Sequence, residues 1–384
     1  MAVILATACG GAASNAGGDG YGEPGAPLPG LSLAGMTRFE QGSDLFFREF
    51  TSGEGLGPIF NQKRCSSCHD LPTNGGFGAE IVRKATHWDG SRCDLLGDEG
   101  GDVFQHQLTE ELAALGGTIE RIPARATELA DVLPPALYGL GLVEQIPDSV
   151  IAVRADPDDA DGDGISGRMG RDAQGRPGRF GRRSEFATLR DFTHRALLVE
   201  MGLTTTTYPA DEGVNRTPLP DGADPAADPE VADSIADLLV DFIRFLAVPA
   251  REAATGATAD TVRRGERMFR VAGCESCHVP VMQGGRSEIP ALDRKRVALY
   301  SDLLVHDLGA DNASVCGPNA SPSEWRTSPL MGVRLRQPLM STGRARDLES
   351  AIELHGGEAL ASKHEFDRMD PAERAALLRF LRSL

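Results

Sequence analysis

Two short segments of the chain carry the residues best suited to redox chemistry. Each reads Cys-x-x-Cys-His, with an imidazole directly after the second thiol. This spacing is typical of c-type haem attachment, because two such thiols can reach the two vinyl groups of one porphyrin and the histidine can bind its iron. The residues are Cys65, Cys68 and His69 in the first motif, and Cys274, Cys277 and His278 in the second. The sequence therefore predicts two covalently bound haems.

Cys-x-x-Cys pairs also occur in zinc sites and in thioredoxin-type proteins. A zinc ribbon needs a second cysteine pair nearby, but the second pair here begins at Cys274 and the first at Cys65. A redox dithiol does not need the histidine that follows both pairs. Covalent haem is the favoured interpretation, and a structural or redox dithiol is its alternative.

Length and composition indicate a soluble protein of more than one domain. A chain of 384 residues is long enough for two domains. Its 39 basic and 56 acidic residues leave a net charge of −17, which argues against a nucleic-acid partner and suits basic redox partners. The 45 glycines and 24 prolines predict long loops.

The N-terminus resembles a bacterial lipoprotein signal. A short apolar run ends in small residues just before Cys9, and a stretch rich in glycine and alanine follows. We expect residues 1–30 to be a signal and linker with Cys9 lipidated, although the run is short and lacks a basic leader. The alternative is a disordered tail with an incidental cysteine. No other stretch approaches the roughly 20 apolar residues that span a membrane.

Cysteine usage bears on the compartment. Haem c is attached outside the cytoplasmic membrane in bacteria, so we expect a periplasmic protein of a Gram-negative bacterium, tethered through its lipid.

Of seven cysteines, four belong to the motifs and one is Cys9, which leaves Cys93 and Cys316. Spare thiols can pair in an oxidising compartment. Sequence does not supply their distance, so this pairing stays open.

Helical periodicity predicts a mainly α protein with long loops and few strands. Asp260 can begin a helix that leads to the second motif, and Asp370 can begin a closing helix. Between the two halves of the chain, apolar residues recur with helical period over residues 231–246, and we expect this helix to close the first domain. We therefore predict a first haem domain with insertions at 31–250 and a second haem domain at 251–384.

One loop between the motifs is rich in carboxylates. Asp159, Asp161 and Asp163 alternate and Gly164 follows, as in the first half of a calcium loop. The carbonyl of Ile165 would be the next ligand. Glycine stands at the twelfth position, where an EF-hand carries glutamate, so we expect a calcium site of another geometry. An ordinary Asp/Gly turn is the alternative.

Positive charge follows this loop. Six arginines lie between Arg168 and Arg183. Because guanidinium groups bind carboxylates well, these arginines could neutralise haem propionates or acidic neighbours. A solvated loop is the alternative.

Several segments resemble the dihaem oxidoreductase family, once labelled "thiol oxidoreductases". The matching segments are 300–309, 324–332, 343–346 and 355–359 in the second half, and 135–144 and 178–181 in the first. The second half is also more distantly similar to bacterial dihaem cytochrome c peroxidases and MauG-type enzymes. The resemblance implies two cytochrome c-like domains with facing haems, one for electron entry at high potential and one for peroxide activation.

The chain departs from the family at one motif. Where the family has His-Asp-Gly-Arg, residues 341–344 read Ser-Thr-Gly-Arg, so any role of that histidine is lost. Met340 falls where the peroxidases place a methionine ligand of the C-terminal haem, and Met–His ligation raises the reduction potential. The resemblance thus implies Met340 as a second iron ligand opposite His278. Core packing is the alternative, and Met331 and Met282 are other candidates.

The peroxide side of the site is less defined. Peroxide cleavage needs an open iron position and a distal group that moves a proton between the two oxygens. We expect Glu144 to be this acid, although surface or capping roles are common for glutamate. Other candidates for distal base or ligand are His87, His106 and His194.

Three further residues lie in the matching segments. We interpret His306 and His355 as hydrogen-bonded structural histidines rather than iron ligands. Trp325 could carry an electron hole between haems, or it could anchor an interface.

Together these features predict a periplasmic dihaem c oxidoreductase with peroxidase-like chemistry. Electrons from a small donor protein, a cytochrome or a cupredoxin, would pass through the His278 haem to the His69 haem and on to peroxide or another small acceptor. The alternatives are a non-catalytic dihaem electron-transfer protein, with both irons six-coordinate, and a redox accessory to metal uptake.

Overall fold

The computed structural model describes residues 19–384. Residues 1–18 lie outside the described part, so lipid attachment at Cys9 stays a prediction. The α-helices are α1 (Leu33–Phe47), α2 (Glu110–Ala114), α3 (Leu140–Glu144), α4 (Asp148–Ala152), α5 (Leu189–Met201), α6 (Asp233–Arg244), α7 (Gly256–Val271), α8 (Leu348–Glu353), α9 (Leu360–Arg368) and α10 (Pro371–Leu381). Within residues 19–384, no helix combines the length and apolar character that a membrane span requires.

The strands between these helices are mostly two or three residues long. They are β1 (Tyr21–Gly22), β2 (Ile59–Phe60), β3 (Val82–Trp88), β4 (Cys93–Asp94), β5 (Val103–Phe104), β6 (Gln107–Leu108), β7 (Glu128–Val132), β8 (Val248–Pro249), β9 (Met282–Gln283), β10 (Arg296–Val297), β11 (Val305–Asp307) and β12 (Glu324–Arg326). With 3₁₀ turns and isolated bridges included, helix accounts for 33% and strand for 13% of the described residues, so this part of the chain is rich in helix.

The expectation of few strands missed one sheet in the first half. Strand β3 pairs antiparallel with β4, β5 and β7. Its sequence, Val-Arg-Lys-Ala-Thr-His-Trp, hides this role because charged residues interrupt the apolar pattern that identifies a half-buried strand.

In the first half, α1 crosses α6 at Gly42. A Cβ atom at Gly42 would lie 2.1 Å from the main-chain oxygen of Leu238, so the crossing requires glycine. Phe46 of α1 packs on Phe242 of α6 with ring centroids 4.8 Å apart. The ring centroid of Phe46 also lies 6.3 Å from that of His69, so this helix pair packs beside the first motif.

The second half repeats this arrangement with α7 and α10. A Cβ atom at Gly265 would lie 2.0 Å from the main-chain oxygen of Ala376. Phe269 of α7 packs on Phe380 of α10, with ring centroids 5.4 Å apart, and lies 6.5 Å from the ring of His278. In each half, a pair of crossed helices therefore places an aromatic ring beside the motif histidine.

The predicted helix starts in the second half had different outcomes. Asp370 caps α10 and forms a capping box with Glu373, as expected. Helix α7 begins at Gly256, before the predicted start at Asp260. The Asp260 carboxylate lies inside the helix and bonds Arg263 one turn later instead of capping the helix.

Candidate functional site

Each Cys-x-x-Cys-His segment forms a tight turn. Residues Cys65–Ser67 and Cys274–Ser276 are single 3₁₀ turns, and the amide of Cys68 donates to the carbonyl of Cys65 at 3.1 Å. The turn brings the two thiols of a motif and the following imidazole close together.

The two motif histidines are held in the same way. Nδ1 of His69 donates to the Gly76 carbonyl at 3.2 Å, and Nδ1 of His278 donates to the Tyr300 carbonyl at 2.9 Å. Because a carbonyl oxygen can only accept, Nδ1 carries the proton and Nε2 keeps its lone pair. Burial lowers the pKa of both imidazoles, that of His278 to about 4. Both rings are therefore neutral and in the tautomer that a metal-bound histidine needs.

The cysteines divide into two groups. Cys93 is disulfide-bonded to Cys316, with Cα atoms 5.8 Å apart across 223 residues, whereas the four motif cysteines form no disulfide within residues 19–384. This pairing answers the question that the sequence left open. Burial raises the pKa of Cys65, Cys68 and Cys274 to about 12, which disfavours the reactive thiolate form at these three residues.

The arginine-rich segment is only partly compensated by carboxylates. Three of its six arginines form ion pairs with carboxylates, namely Arg168, Arg176 and Arg179. Arg182 donates to the Leu133 carbonyl and has no ion pair among residues 19–384. Burial and the nearby Arg336 lower the pKa of Arg182 to about 9, and the charge of Glu185 only partly opposes them. The carboxylates of a haem would fit this environment.

A second buried histidine lies behind the second motif. Nε2 of His306 is 2.9 Å from an Asp302 oxygen, and Nδ1 is 2.7 Å from a Glu358 oxygen. Burial opposes a charge on His306, but its hydrogen bonds to Asp302, Cys277 and Glu358 outweigh burial and raise its pKa to about 12. Both ring nitrogens are occupied, which agrees with a structural role.

His355 and Trp325 are also hydrogen-bonded to the main chain. Nδ1 of His355 donates to the Ala351 carbonyl at 2.8 Å, and its ring lies 6.4 Å from that of His278. The indole of Trp325 donates to the Asn312 carbonyl at 2.9 Å. The Arg183 guanidinium lies 4.0 Å above the indole ring, and a cation there disfavours an electron hole on the ring.

Glu144, the predicted acid, connects three helices. One carboxylate oxygen lies 2.7 Å from Arg244 of α6, and the other accepts from the Leu189 amide at the start of α5 at 3.1 Å. These contacts give Glu144 a structural role as the last residue of α3, and its catalytic role stays a prediction.

The other distal candidates are dispersed. His87 donates to the Arg125 carbonyl at 2.8 Å, His106 bonds the Asn61 side chain at 2.7 Å, and His194 contacts the Thr205 hydroxyl at 3.1 Å. Within residues 19–384, no group of three potential ligand side chains includes any of these histidines.

A buried carboxyl that the sequence interpretation missed lies near the first motif. Glu200 of α5 accepts from the Asn61 side chain at 2.8 Å. Burial raises its pKa to about 7. After burial itself, the charge of Glu200 is the largest influence that raises the pKa of Cys68. A carboxyl that titrates near neutrality can move protons. Its one sequence signal is a lone acid within the apolar run Leu-Leu-Val-Glu-Met.

The three candidate methionines differ in their surroundings. Met282 is buried in the hydrophobic core, and Met331 packs against the same core. Met340 belongs to none of the core clusters among residues 19–384 and adopts a φ of +66°, a conformation that is costly for methionine. Its carbonyl accepts from Arg336 at 2.8 Å. This constraint is compatible with the predicted ligand role, which stays a prediction.

The aspartate loop gathers a slightly different set of carboxylates from the predicted one. Oxygen atoms of Asp156, Asp159 and Asp161 lie within 4.8 Å of one another. Asp163 instead accepts from the Ile165 amide at 2.8 Å. Two of the three predicted carboxylates thus come together, and calcium binding stays a prediction.

The same loop reaches the buried histidine of the second half. The Ser166 amide and hydroxyl donate to the Glu358 carboxylate at 3.0 and 2.9 Å. A Cβ atom at Gly167 would lie 2.5 Å from the His306 ring, so glycine permits this close packing.

Two turns that each present two thiols and a neutral histidine define a protein suited to holding two haems. The chain belongs to the family described as "Di-haem oxidoreductase, putative peroxidase", which matches residues 132–384. The match includes the second motif, and the first motif precedes it. Family membership makes the protein a dihaem redox enzyme with two haem cofactors.

Three solved structures are similar over most of the chain. Hydrazine synthase from Kuenenia stuttgartiensis is 15% identical with a TM-score of 0.40 and full coverage of both chains. A MauG-like protein associated with microbial copper homeostasis is 17% identical with a TM-score of 0.40, covering 95% of this chain and 92% of that chain. A variant of the diheme peroxidase BthA from Burkholderia thailandensis is 15% identical with a TM-score of 0.39, covering 95% and 89%.

No protein with a curated description matches the chain. The similarities to solved structures are too weak to assign the fold or the activity. Only the family match therefore assigns the chain to a protein family.

Proposed function

We propose that the protein is a periplasmic, peroxidase-like oxidoreductase with two cytochrome c-like domains and haem c linked covalently at both motifs. When bound, the two haems would carry electrons. The electrons would come from a small donor protein, a cytochrome or a cupredoxin, at the His278 side and pass to peroxide or a similar small acceptor at the His69 side.

The observation that carries this proposal is the shared setting of the two histidines. His69 and His278 each donate Nδ1–H to a main-chain carbonyl, which leaves Nε2 available for iron. Burial raises the pKa of both first-motif thiols, Cys65 and Cys68, to about 12, which disfavours a redox dithiol at that motif. The Cys93–Cys316 disulfide supports an oxidising compartment such as the periplasm, because such bonds are rare in the cytosol.

The chain's own residues have separable roles in this proposal. Glu144 is the proposed proton-transfer group. Met340 is the proposed second ligand opposite His278. The aspartate loop, with Asp159 and Asp161, is the proposed calcium site.

The test is expression of the full chain in a host that attaches haem c. We expect a mass gain of two haems, loss of one haem in the Cys274→Ser/Cys277→Ser variant, and peroxide-dependent oxidation of a reduced cytochrome. A protein with the mass of its polypeptide alone, or without Soret absorbance, would overturn the proposal.

A non-catalytic electron carrier is the second candidate. It is favoured by the replacement of the family's histidine by Ser341 and by the two helix contacts that already occupy Glu144. EPR separates the two functions, since a carrier has two low-spin, six-coordinate irons and a peroxidase has one high-spin or open iron.

A further inference from the structure

Three arginines from separate segments meet between the two halves of the chain. Arg182 follows the segment Gly178–Gly181, Arg326 ends β12, and Arg336 follows the 3₁₀ turn Val333–Leu335. The Arg326 amide donates to the Arg182 carbonyl at 2.9 Å, which fixes these two segments side by side.

Leu133 links Arg182 to the loop that carries Arg336. The Arg182 guanidinium donates to the Leu133 carbonyl, and the Leu133 amide donates to the Ser341 carbonyl at 2.9 Å. In that loop, Arg336 donates to the Met340 carbonyl at 2.8 Å. Arg182, Arg326 and Arg336, here called the arginine trio, therefore form one connected group.

Two members of the trio, Arg182 and Arg336, approach the first motif. The Arg336 guanidinium stacks on the Phe77 ring, 5.3 Å from its centroid. Phe77 directly follows Gly76, whose carbonyl accepts from His69. Arg182 reaches the same segment through Leu133, because the carbonyl of the next residue, Pro134, accepts from the Gly78 amide at 3.4 Å. One of the two cations that approach the first motif, Arg336, thus comes from the second half.

The trio has an excess of positive charge. Each of its guanidinium groups bonds a main-chain carbonyl, and none forms an ion pair among residues 19–384. Burial lowers the pKa of Arg326 and that of Arg336 to about 10. The acidic residues that act on Arg326 are Glu185 and Asp302. Asp302 is already paired with His306, which leaves one carboxylate for three cations.

Desolvated cations without a counterion are costly, so a site of this kind requires an anion. Planar guanidinium groups match carboxylates in particular. We propose that the arginine trio binds the propionate carboxylates of the haem at the first motif, so that the second half completes the first haem site. This inference rests on the proposed function, because it requires haem at His69.

The test uses the haem-loaded protein and measures both midpoint potentials by spectroelectrochemistry, together with haem content. Arg182→Gln, Arg326→Gln and Arg336→Gln each remove one positive charge from the propionates, which favours the oxidised iron. We expect one of the two midpoint potentials to fall in each variant. The expected fall is about 59 mV, which corresponds to a tenfold change in the one-electron reduction equilibrium constant. The other potential should stay unchanged.

Two control variants separate charge from packing. Arg171→Gln removes an arginine that donates only to the Gly175 carbonyl of its own loop, and should leave both potentials unchanged. Arg336→Lys keeps the charge and should retain most of the wild-type potential. The inference is overturned if the potential of Arg336→Lys falls as far as that of Arg336→Gln. It is also overturned if the trio variants, like Arg171→Gln, leave both potentials unchanged.

Inorganic phosphate distinguishes a propionate from an anion taken from solution. With propionates in place, added phosphate should not change either potential. A phosphate-dependent potential in the wild type that is lost in Arg182→Gln would assign the trio to a solution anion and overturn the inference. Absence of Soret absorbance would defeat the proposed function itself, whereas two bound haems with unaltered potentials would defeat only the role of the trio.

Discussion

Nδ1 of His306 and the carboxylate of Glu358 lie 2.7 Å apart in the interior of the second half. The same carboxylate accepts from the amide and hydroxyl of Ser166, which belongs to the first half. Glu358 therefore compensates a buried imidazolium and connects the two halves of the chain.

Replacement of Glu358 by glutamine should destabilise the protein. Glu358→Gln removes one of the two carboxylates that pair with the buried His306, so we expect it to lower the free energy of unfolding by about 2 kcal/mol. Urea unfolding of the haem-loaded protein measures this. Glu365→Gln is the matched control, because Glu365 pairs with Arg368 on the exposed face of α9. Equal effects of the two substitutions would refute the role of Glu358.

The Cys93–Cys316 disulfide should contribute to stability through its long loop. Closing a loop across 223 residues restricts the unfolded chain strongly. We expect Cys93→Ser/Cys316→Ser to lower the free energy of unfolding by about 2–4 kcal/mol without changing the haem content. Urea unfolding and Soret absorbance measure the two quantities. A variant as stable as the wild type would show that the bond does not constrain the unfolded chain.

Asp211 should make stability dependent on pH. Burial, the charge of Glu230 and a hydrogen bond with Asp224 raise its pKa to about 9. The folded state therefore favours the protonated carboxyl. Its contribution to stability is fully present below the ordinary pKa of an aspartate and is lost as the pH rises towards 9.

We expect Asp211→Asn to stabilise the protein relative to the wild type increasingly between pH 5 and pH 8.5, because asparagine stays neutral. Urea midpoints in EDTA-containing buffer at several pH values measure the difference. Asp221→Asn, at an exposed position ten residues further along the chain, is the control. A stability difference that does not change with pH would contradict the raised pKa.

The proposed ligand Met340 can be tested by spectroscopy. We expect Met340→Ala to lower the potential of one haem and to abolish the near-infrared charge-transfer band of methionine-ligated ferric haem. Met331→Ala should keep the band, because Met331 packs against the core. Retention of the band in Met340→Ala and its loss in Met331→Ala would reassign the ligand.

The proposed acid Glu144 can be separated from its structural contacts with Arg244. Glu144→Gln removes the ionisable group, whereas Arg244→Gln breaks the same ion pair but keeps the carboxyl. We expect Glu144→Gln to lower peroxide turnover by about 10²-fold and Arg244→Gln to affect mainly stability. If both variants lose turnover equally, Glu144 acts through helix packing, and Glu200 becomes the next carboxyl to test.

Features set by neighbouring residues could be read from the sequence. The Cys-x-x-Cys-His turns and the Asp370 capping box depend on contacts within a few positions, so spacing and residue type determined them. The same local logic placed the start of α7 wrongly, because the Asp260 carboxylate has a competing partner in Arg263.

Features that join distant segments were decided by the tertiary structure. The bond between Cys93 and Cys316, the buried pair of His306 with Glu358, and the arginine trio each bring together parts of the chain whose distance no local pattern encodes. The six arginines of residues 168–183 could not be told apart in the sequence. In the structure, Arg168, Arg176 and Arg179 form ion pairs with carboxylates, whereas Arg182 is buried and forms no ion pair among residues 19–384. Spacing along the chain determines which groups can share a turn, whereas packing determines which charges are left without a counterion.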